Sequence, residues 1–386
     1  MGPKPASFVW ADESCIYVMH GLRVGVATDR QPGRLLTSAM DPVNNTVEDG
    51  ANNTSDADDL WVGDVLIPSL CAGFCFLVGI PGNGLVIWTI LCKIPQRSMT
   101  VVFLLNLAIA DFLALITLPL WIHSFIDKWI YGLFMCRFIS YVNCFTMYVS
   151  VFFLTVLSIQ RFTAVVFPFA LRSWQKKKAI YGTILSIWII SLALATPAYV
   201  FRSTTESDGI VQCDDWVYTS DQQELADLSV DLVFCFLLPF SIMTVCYSFV
   251  IRRMRRLKFH KKSRSGRVIA SVIIAFFACW IPYHITNMLL ISSVTLRSSN
   301  PNMSETLENA AVAAENICDM LVYLSSCLNP ILYAFAARSF RGGLKGTNFD
   351  KLFKQMNEDS EEKVTKSLHS SRATTDLSLQ NSIGLQ

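Results

Sequence analysis

Asp111 closes the run Leu105-Asn106-Leu107-Ala108-Ile109-Ala110-Asp111, where most neighbours are apolar. A carboxylate in such surroundings is costly, which makes it a functional candidate by default. Small polar groups stand in similar apolar runs elsewhere: Asn83, Ser150, Ser326 and Asn329. Brought together, these oxygens could hydrate or coordinate a sodium ion; the plainer alternative is a hydrogen-bonded staple between helices. Arg161 ends another apolar run in Ile159-Gln160-Arg161-Phe162, as a further site candidate or as an anchor whose charge snorkels to the interface. Cys136 and Cys213 flank apolar runs where an oxidising exterior would let them form a disulfide. Most other cysteines lie in or beside apolar runs, where a thiol behaves as a small hydrophobe. Convincing metal-ligand spacings and nucleotide loops are not found.

The elements that hold these groups follow from composition. Of 386 residues, 52% are hydrophobic and only 16% charged, with a mean hydropathy of +0.41. A soluble domain carries about 25% charged residues, so this exterior is not built for water. Basic residues number 32 and acidic 30, a net charge of +2, so no overall basic field points to nucleic acid. A hydrocarbon layer about 30 Å thick needs about 20 apolar residues in a helix. Seven stretches qualify, at roughly 65–92, 101–126, 133–160, 179–201, 228–251, 268–293 and 310–336. None alternates as a barrel strand would, and helices satisfy their own backbone where lipid cannot. The expectation is an all-α membrane protein, a seven-transmembrane helix bundle over 61–337. Pro239, Pro282 and Pro330 interrupt spans five, six and seven; each removes a backbone hydrogen bond and invites a kink.

Lys and Arg crowd three alternate loops: Lys93 and Arg97; Arg172 and Lys176–Lys178; and nine between Arg252 and Arg267. The positive-inside rule then places the N-terminus outside and the C-terminus in the cytoplasm. Residues 1–60 read as a largely disordered outer tail with glycosylation sequons at Asn44, Asn52 and Asn53. The apolar positions of 338–355 suit a short amphipathic eighth helix on the membrane surface. The Ser/Thr-rich composition of 356–386 reads as a disordered tail. Phosphate on Ser367, Ser370, Ser371, Thr374 and Thr375 would pair with basic partners.

These pieces in this order resemble the rhodopsin-like G protein-coupled receptors. The carriers are Gly82-Asn83, Leu107-Ala108-Ile109-Ala110-Asp111, Cys136 with Arg161, Trp188, Pro239 with Tyr247, Cys279-Trp280-Ile281-Pro282 and Asn329-Pro330-Ile331-Leu332-Tyr333. The resemblance covers roughly 60–355. It implies that agonist shifts packing around Phe276 and Trp280, that span six swings about Pro282, and that Arg161, Tyr247, Asn329, Pro330 and Tyr333 rearrange to admit a heterotrimeric G protein. Loss of a sodium ion from Asp111, Ser150, Ser326 and Asn329 would accompany the change; no other cofactor is implied. In one departure, the family's usual acid before the arginine is Gln160 here.

Finer detail resembles the leukotriene B4 receptors: Gly79-Ile80-Pro81-Gly82-Asn83, Met147-Tyr148-Val149-Ser150-Val151, Ala195-Thr196-Pro197, Pro282-Tyr283-His284 and Leu324-Ser325-Ser326-Cys327-Leu328-Asn329-Pro330. That likeness implies a plasma-membrane receptor for a lipid mediator, leukotriene B4 or a related hydroxy fatty acid. It also implies coupling to inhibitory G proteins and a role in chemotaxis and inflammation. Arg202 would pair the ligand's carboxylate, Asp231 and Tyr148 its hydroxyls, and Asn287 is a further polar contact. Ser140, Glu224 and Glu315 depart from the basic positions of the high-affinity subtype. A chemotactic peptide drawn by Glu206, Asp208, Asp214 and Asp215 is the second reading. A transporter or intramembrane enzyme is the third, disfavoured by the lack of repeats and paired catalytic acids.

Overall fold

The computed structural model describes residues 65–167, 170–171, 174, 176–207, 209–256, 264–338 and 354. Seven helical spans are long and apolar enough to cross a membrane: Ile67–Lys93, Met99–Ile126, Gly132–Val166, Lys177–Phe201, Asp221–Arg253, Ile269–Leu296 and Pro301–Tyr333. They are spans one to seven below. Leu77, Tyr181, Phe134 and Ile274 each expose more than 60% of their surface. Large apolar side chains turned outward this way suit lipid. The expected eighth helix, the sequons at Asn44, Asn52 and Asn53 and the Ser/Thr sites from Ser367 to Thr375 lie outside the described residues.

Span three is the axle of the bundle. In its most apolar window 78% of residues are buried, against 22% in span five. It carries small polar groups on several faces, some of which hydrogen-bond across to span two. Thr117 of span two donates to Asn143 at 3.1 Å, and Gln160 donates to Thr100 at 2.8 Å. Trp188 of span four reaches Asn106 of span two at 2.9 Å.

Spans five and seven begin earlier than their apolar runs. Each is 33 residues, about 50 Å at 1.5 Å per residue, so they project past the hydrocarbon. Hydropathy reports only the part that lipid must wet. Arg297, between spans six and seven, ties this projection down through Asp221 at 2.7 Å and Glu224 at 3.0 Å. Burial alone would weaken its protonation, but hydrogen bonds and charge from those two carboxylates outweigh it and hold its pKa above the usual arginine range.

A hairpin caps this same end. Strand β1 (Arg202–Ser207) pairs antiparallel with β2 (Ile210–Trp216), and Gly209 turns between them at φ +76, a conformation that glycine adopts without a Cβ clash. The hairpin is bolted to span three by the Cys136–Cys213 disulfide. Arg137 Nε adds a bond to the Arg202 carbonyl at 2.8 Å. The thiols expected to meet do meet.

Proline shapes span five. Its α-helix Asp221–Asp231 widens into a π-helical turn over Leu232–Leu237, and the α-helix resumes at Leu238 with Pro239 as its second residue. Pro239 has no N–H to offer, so the irregular turn lies where the ladder must adjust. Pro282 and Pro330 lie inside continuous helices.

Candidate ligand site and switch

The polar candidates fall into three layers along the bundle. In the middle, the Asp111 carboxylate accepts from Asn329 Nδ2 at 2.7 Å and from Ser150 Oγ at 3.4 Å. Asn83 Nδ2 bridges Gly79 O and Ser326 O, both at 3.1 Å, fastening span one to span seven. Asp111, Ser150, Ser326 and Asn329 line a cavity of about 30 Å³ whose wall includes Phe276 and Trp280. That volume holds one water-sized occupant. Hydroxyl, amide and carboxylate oxygens around it are the hard donors that an alkali cation takes.

The aromatic pair borders the same cavity. Phe276 stacks on Trp280 with centroids 5.1 Å apart, and Trp280 Nε1 donates to Ser325 Oγ at 3.1 Å. A shift of Trp280 thus acts directly on span seven, about one helical turn before Asn329 and Pro330.

Nearer the hairpin, Asp231 is wholly buried. Its Oδ2 accepts from Asn287 Nδ2 at 2.9 Å and from Tyr283 Oη at 3.2 Å, and Tyr148 also hydrogen-bonds its carboxyl. Spans three, five and six therefore converge on one carboxylate. Three of the four expected ligand contacts form this cluster. Arg202 lies apart, fully buried beneath the hairpin. Its guanidinium faces the Trp216 ring at 4.8 Å and the Trp121 ring at 6.0 Å and donates to Cys213 O at 2.5 Å.

Asp319 joins the two regions. It stands within Coulombic reach of Arg202, Tyr283 and Tyr323. Sequence reasoning passed over it, although the rule that exposed Asp111 applies equally to an acid in Ile317-Cys318-Asp319-Met320. His284 enters the sequence reading only as part of a motif. It is fully buried, stacked 4.6 Å from Phe236, and neither ring nitrogen has a partner among the described residues. At the opposite end of the bundle, Arg161 is buried and its charge reaches Tyr247 of span five. Tyr333 is buried within Coulombic reach of Asp111.

The sequence pattern of the 7 transmembrane receptor (rhodopsin family) matches residues 82–333. The chain belongs to this family. Its members are signalling receptors rather than enzymes, so a ligand and a heterotrimeric G protein are its partners and the plasma membrane its location. Relatives in two groups match comparably. The C-X-C chemokine receptor type 2 of Homo sapiens is 35% identical over 274 residues, 70% of this chain and 74% of that receptor. The leukotriene B4 receptor 1 of Homo sapiens is 33% identical over 280 residues, 72% of this chain and 78% of that receptor. That of Rattus norvegicus is 34% identical over 298 residues, 76% and 83% respectively. Within this rhodopsin-family receptor, the polar groups described above span the length of one seven-helix bundle.

Proposed function

We propose that this chain is a receptor for a lipid mediator with a carboxylate and hydroxyls, leukotriene B4 or a related hydroxy fatty acid. It would signal through inhibitory G proteins in chemotaxis and inflammation, with its hairpin end outside the cell. The observation that carries the reading is the buried Arg202 guanidinium, linked electrostatically through Asp319 to the Tyr148–Tyr283–Asp231–Asn287 cluster. A buried cation suits a carboxylate by bidentate hydrogen bonding. The cluster suits hydroxyls, and the aromatic walls suit a hydrocarbon tail.

Asp319 supports a second reading. An acid at membrane depth, half-buried in span seven, would attract a basic chemotactic peptide. The two readings make opposite demands on this pair. A lipid carboxylate competes with Asp319 for Arg202, whereas a cationic peptide needs Asp319 itself.

The deciding experiment is G-protein dissociation in cells titrated with leukotriene B4, for wild type, Arg202→Ala and Asp319→Asn at matched surface expression. On the lipid reading the Arg202 variant loses its response and the Asp319 variant responds at equal or lower concentration. No wild-type response to the lipid, together with a peptide response lost in Asp319→Asn, would establish the second reading instead. The Ser367–Thr375 cluster is proposed as a kinase and arrestin site; arrestin recruitment unchanged after its replacement by alanine would refute that.

A further inference from the structure

Spans one and seven run parallel and touch through glycine. A Cβ built on Gly79 would come within 3.1 Å of Cys327 Sγ, and one on Gly82 within 2.8 Å of Pro330 Cγ. The two contacts have the same offset along both helices, so they define one close seam. Side chains on a helix lean toward its N-terminus, which carries the Cys327 thiol back up this seam toward Cys75, one turn before Gly79.

The thiols meet there. Cys327 Sγ lies 3.3 Å from Cys75 O and 3.4 Å from Tyr323 O. Its S–H is shared among these carbonyls and the Cys75 sulfur, to which Cys327 donates a side-chain hydrogen bond. Both residues are buried, at 1% and 0% exposure. Two packed thiols in a membrane interior form an ordinary apolar contact unless an oxidant can reach them. A route exists. Cys71 and Cys75 line a cavity of about 380 Å³ between spans one and seven, walled by Phe74, Met320 and Leu324. Among the described residues no cluster of three or more ligating side chains could hold a metal, so the chemistry this pair offers is redox rather than coordination.

We propose that Cys75 and Cys327 are a redox-sensitive pair, oxidised by a hydroperoxide that enters the crevice between spans one and seven, and that their disulfide staples these two spans together.

The Cys75 sulfur attacks the terminal oxygen of the hydroperoxide. The O–O bond breaks, the thiol proton goes to the departing oxygen, and an alcohol or water leaves while Cys75 becomes a sulfenic acid. Cys327 sulfur then attacks the Cys75 sulfur, the S–O bond breaks, and hydroxide leaves as water with the Cys327 proton. Two thiols are oxidised by two electrons and the hydroperoxide is reduced by two. The thiols' mutual contact favours the second step, because the resolving sulfur is already in place.

The staple would act on the switch. Ser326, next to Cys327, lines the Asp111 cavity, and Asn329 bonds Asp111 two residues further on. A covalent tie at Cys327 holds this part of span seven against span one and so favours the arrangement seen here. The inference does not depend on which ligand the receptor binds.

The test uses the full chain purified into phospholipid nanodiscs, with no agonist. One arm adds hydrogen peroxide and the other a fatty-acid hydroperoxide. Remaining thiols are alkylated, and non-reduced digests are read by mass spectrometry. The expected result is a linked Cys75–Cys327 peptide, with both free thiols lost in step and the thermal midpoint raised. Reaction in the peroxide arm alone identifies an aqueous source; reaction in the lipid arm alone identifies a membrane source; both support the pair. Cys327→Ala should leave a sulfenic acid at Cys75 that dimedone traps. Full alkylation of both thiols in both arms, or oxidation confined to Cys71, would overturn the proposal.

Discussion

Gln160 spends both ends of its amide on Thr100: Nε2 donates at 2.8 Å and Oε1 accepts at 3.1 Å. The residue before Arg161 therefore ties span three to span two without offering a charge. Gln160→Glu would keep an acceptor for Thr100 and set a carboxylate beside Arg161. An added restraint of about 1 kcal/mol changes a two-state ratio about fivefold. Ligand-independent G-protein dissociation, at equal surface expression, should fall by about that factor. Asp231 makes a different demand. Asp231→Ala would take the buried acceptor from Tyr283 Oη, at a cost of about 1–3 kcal/mol, and leave Asn287 Nδ2 only its long bond to Leu228 O at 3.5 Å. The thermal unfolding midpoint should drop clearly, and further than for Asp231→Asn, which retains an acceptor.

Between helices, the seam of spans one and seven carries the sharpest geometric prediction. Small residues let membrane helices approach. A Cβ added at Gly82 would lie 2.8 Å from the Pro330 ring, whereas the first atom a Cβ at Gly84 would meet is Phe112 at 3.8 Å. A proline ring is held by its own backbone and cannot rotate away. Gly82→Val should therefore lower the thermal midpoint and surface expression, while Gly84→Ala should leave both close to wild type. Equal tolerance at the two sites would contradict the packing described. The seven spans were readable from apolar length alone, because lipid imposes that length. Their true ends were not: spans five and seven rise beyond the hydrocarbon on contacts such as Arg297 with Asp221 and Glu224, which no local hydropathy records. The eighth helix expected over 338–355 lies outside the described residues.

For the whole molecule, activation is a two-state equilibrium that a bound ion biases only if it binds one state better. Trp280 lines the 30 Å³ cavity at Asp111, which joins spans two, three, six and seven, so any shift of Trp280 changes the cavity's shape. We predict that sodium chloride, compared with choline chloride, weakens agonist binding to wild type and that Asp111→Asn abolishes the difference. Competition binding in the two salts measures it; an undiminished sodium effect in the variant would place the ion elsewhere.

What this chain's sequence determined by itself was whatever depends on one residue in one solvent. Lipid demands long apolar helices and makes each intramembrane polar group costly, so the seven spans, Asp111 and the family motifs could all be read in one dimension. Tertiary structure decided which groups share a partner. Asp231, Tyr148 and Asn287 proved to be one cluster, Arg202 proved to lie apart beneath the hairpin, and Asp319 linked the two regions. Cys75 and Cys327 looked like ordinary apolar thiols until two parallel helices placed them in contact. Hydrogen bonds, charge pairs and thiol contacts act over a few ångströms in space, and residues hundreds of positions apart come within that range only when the bundle closes.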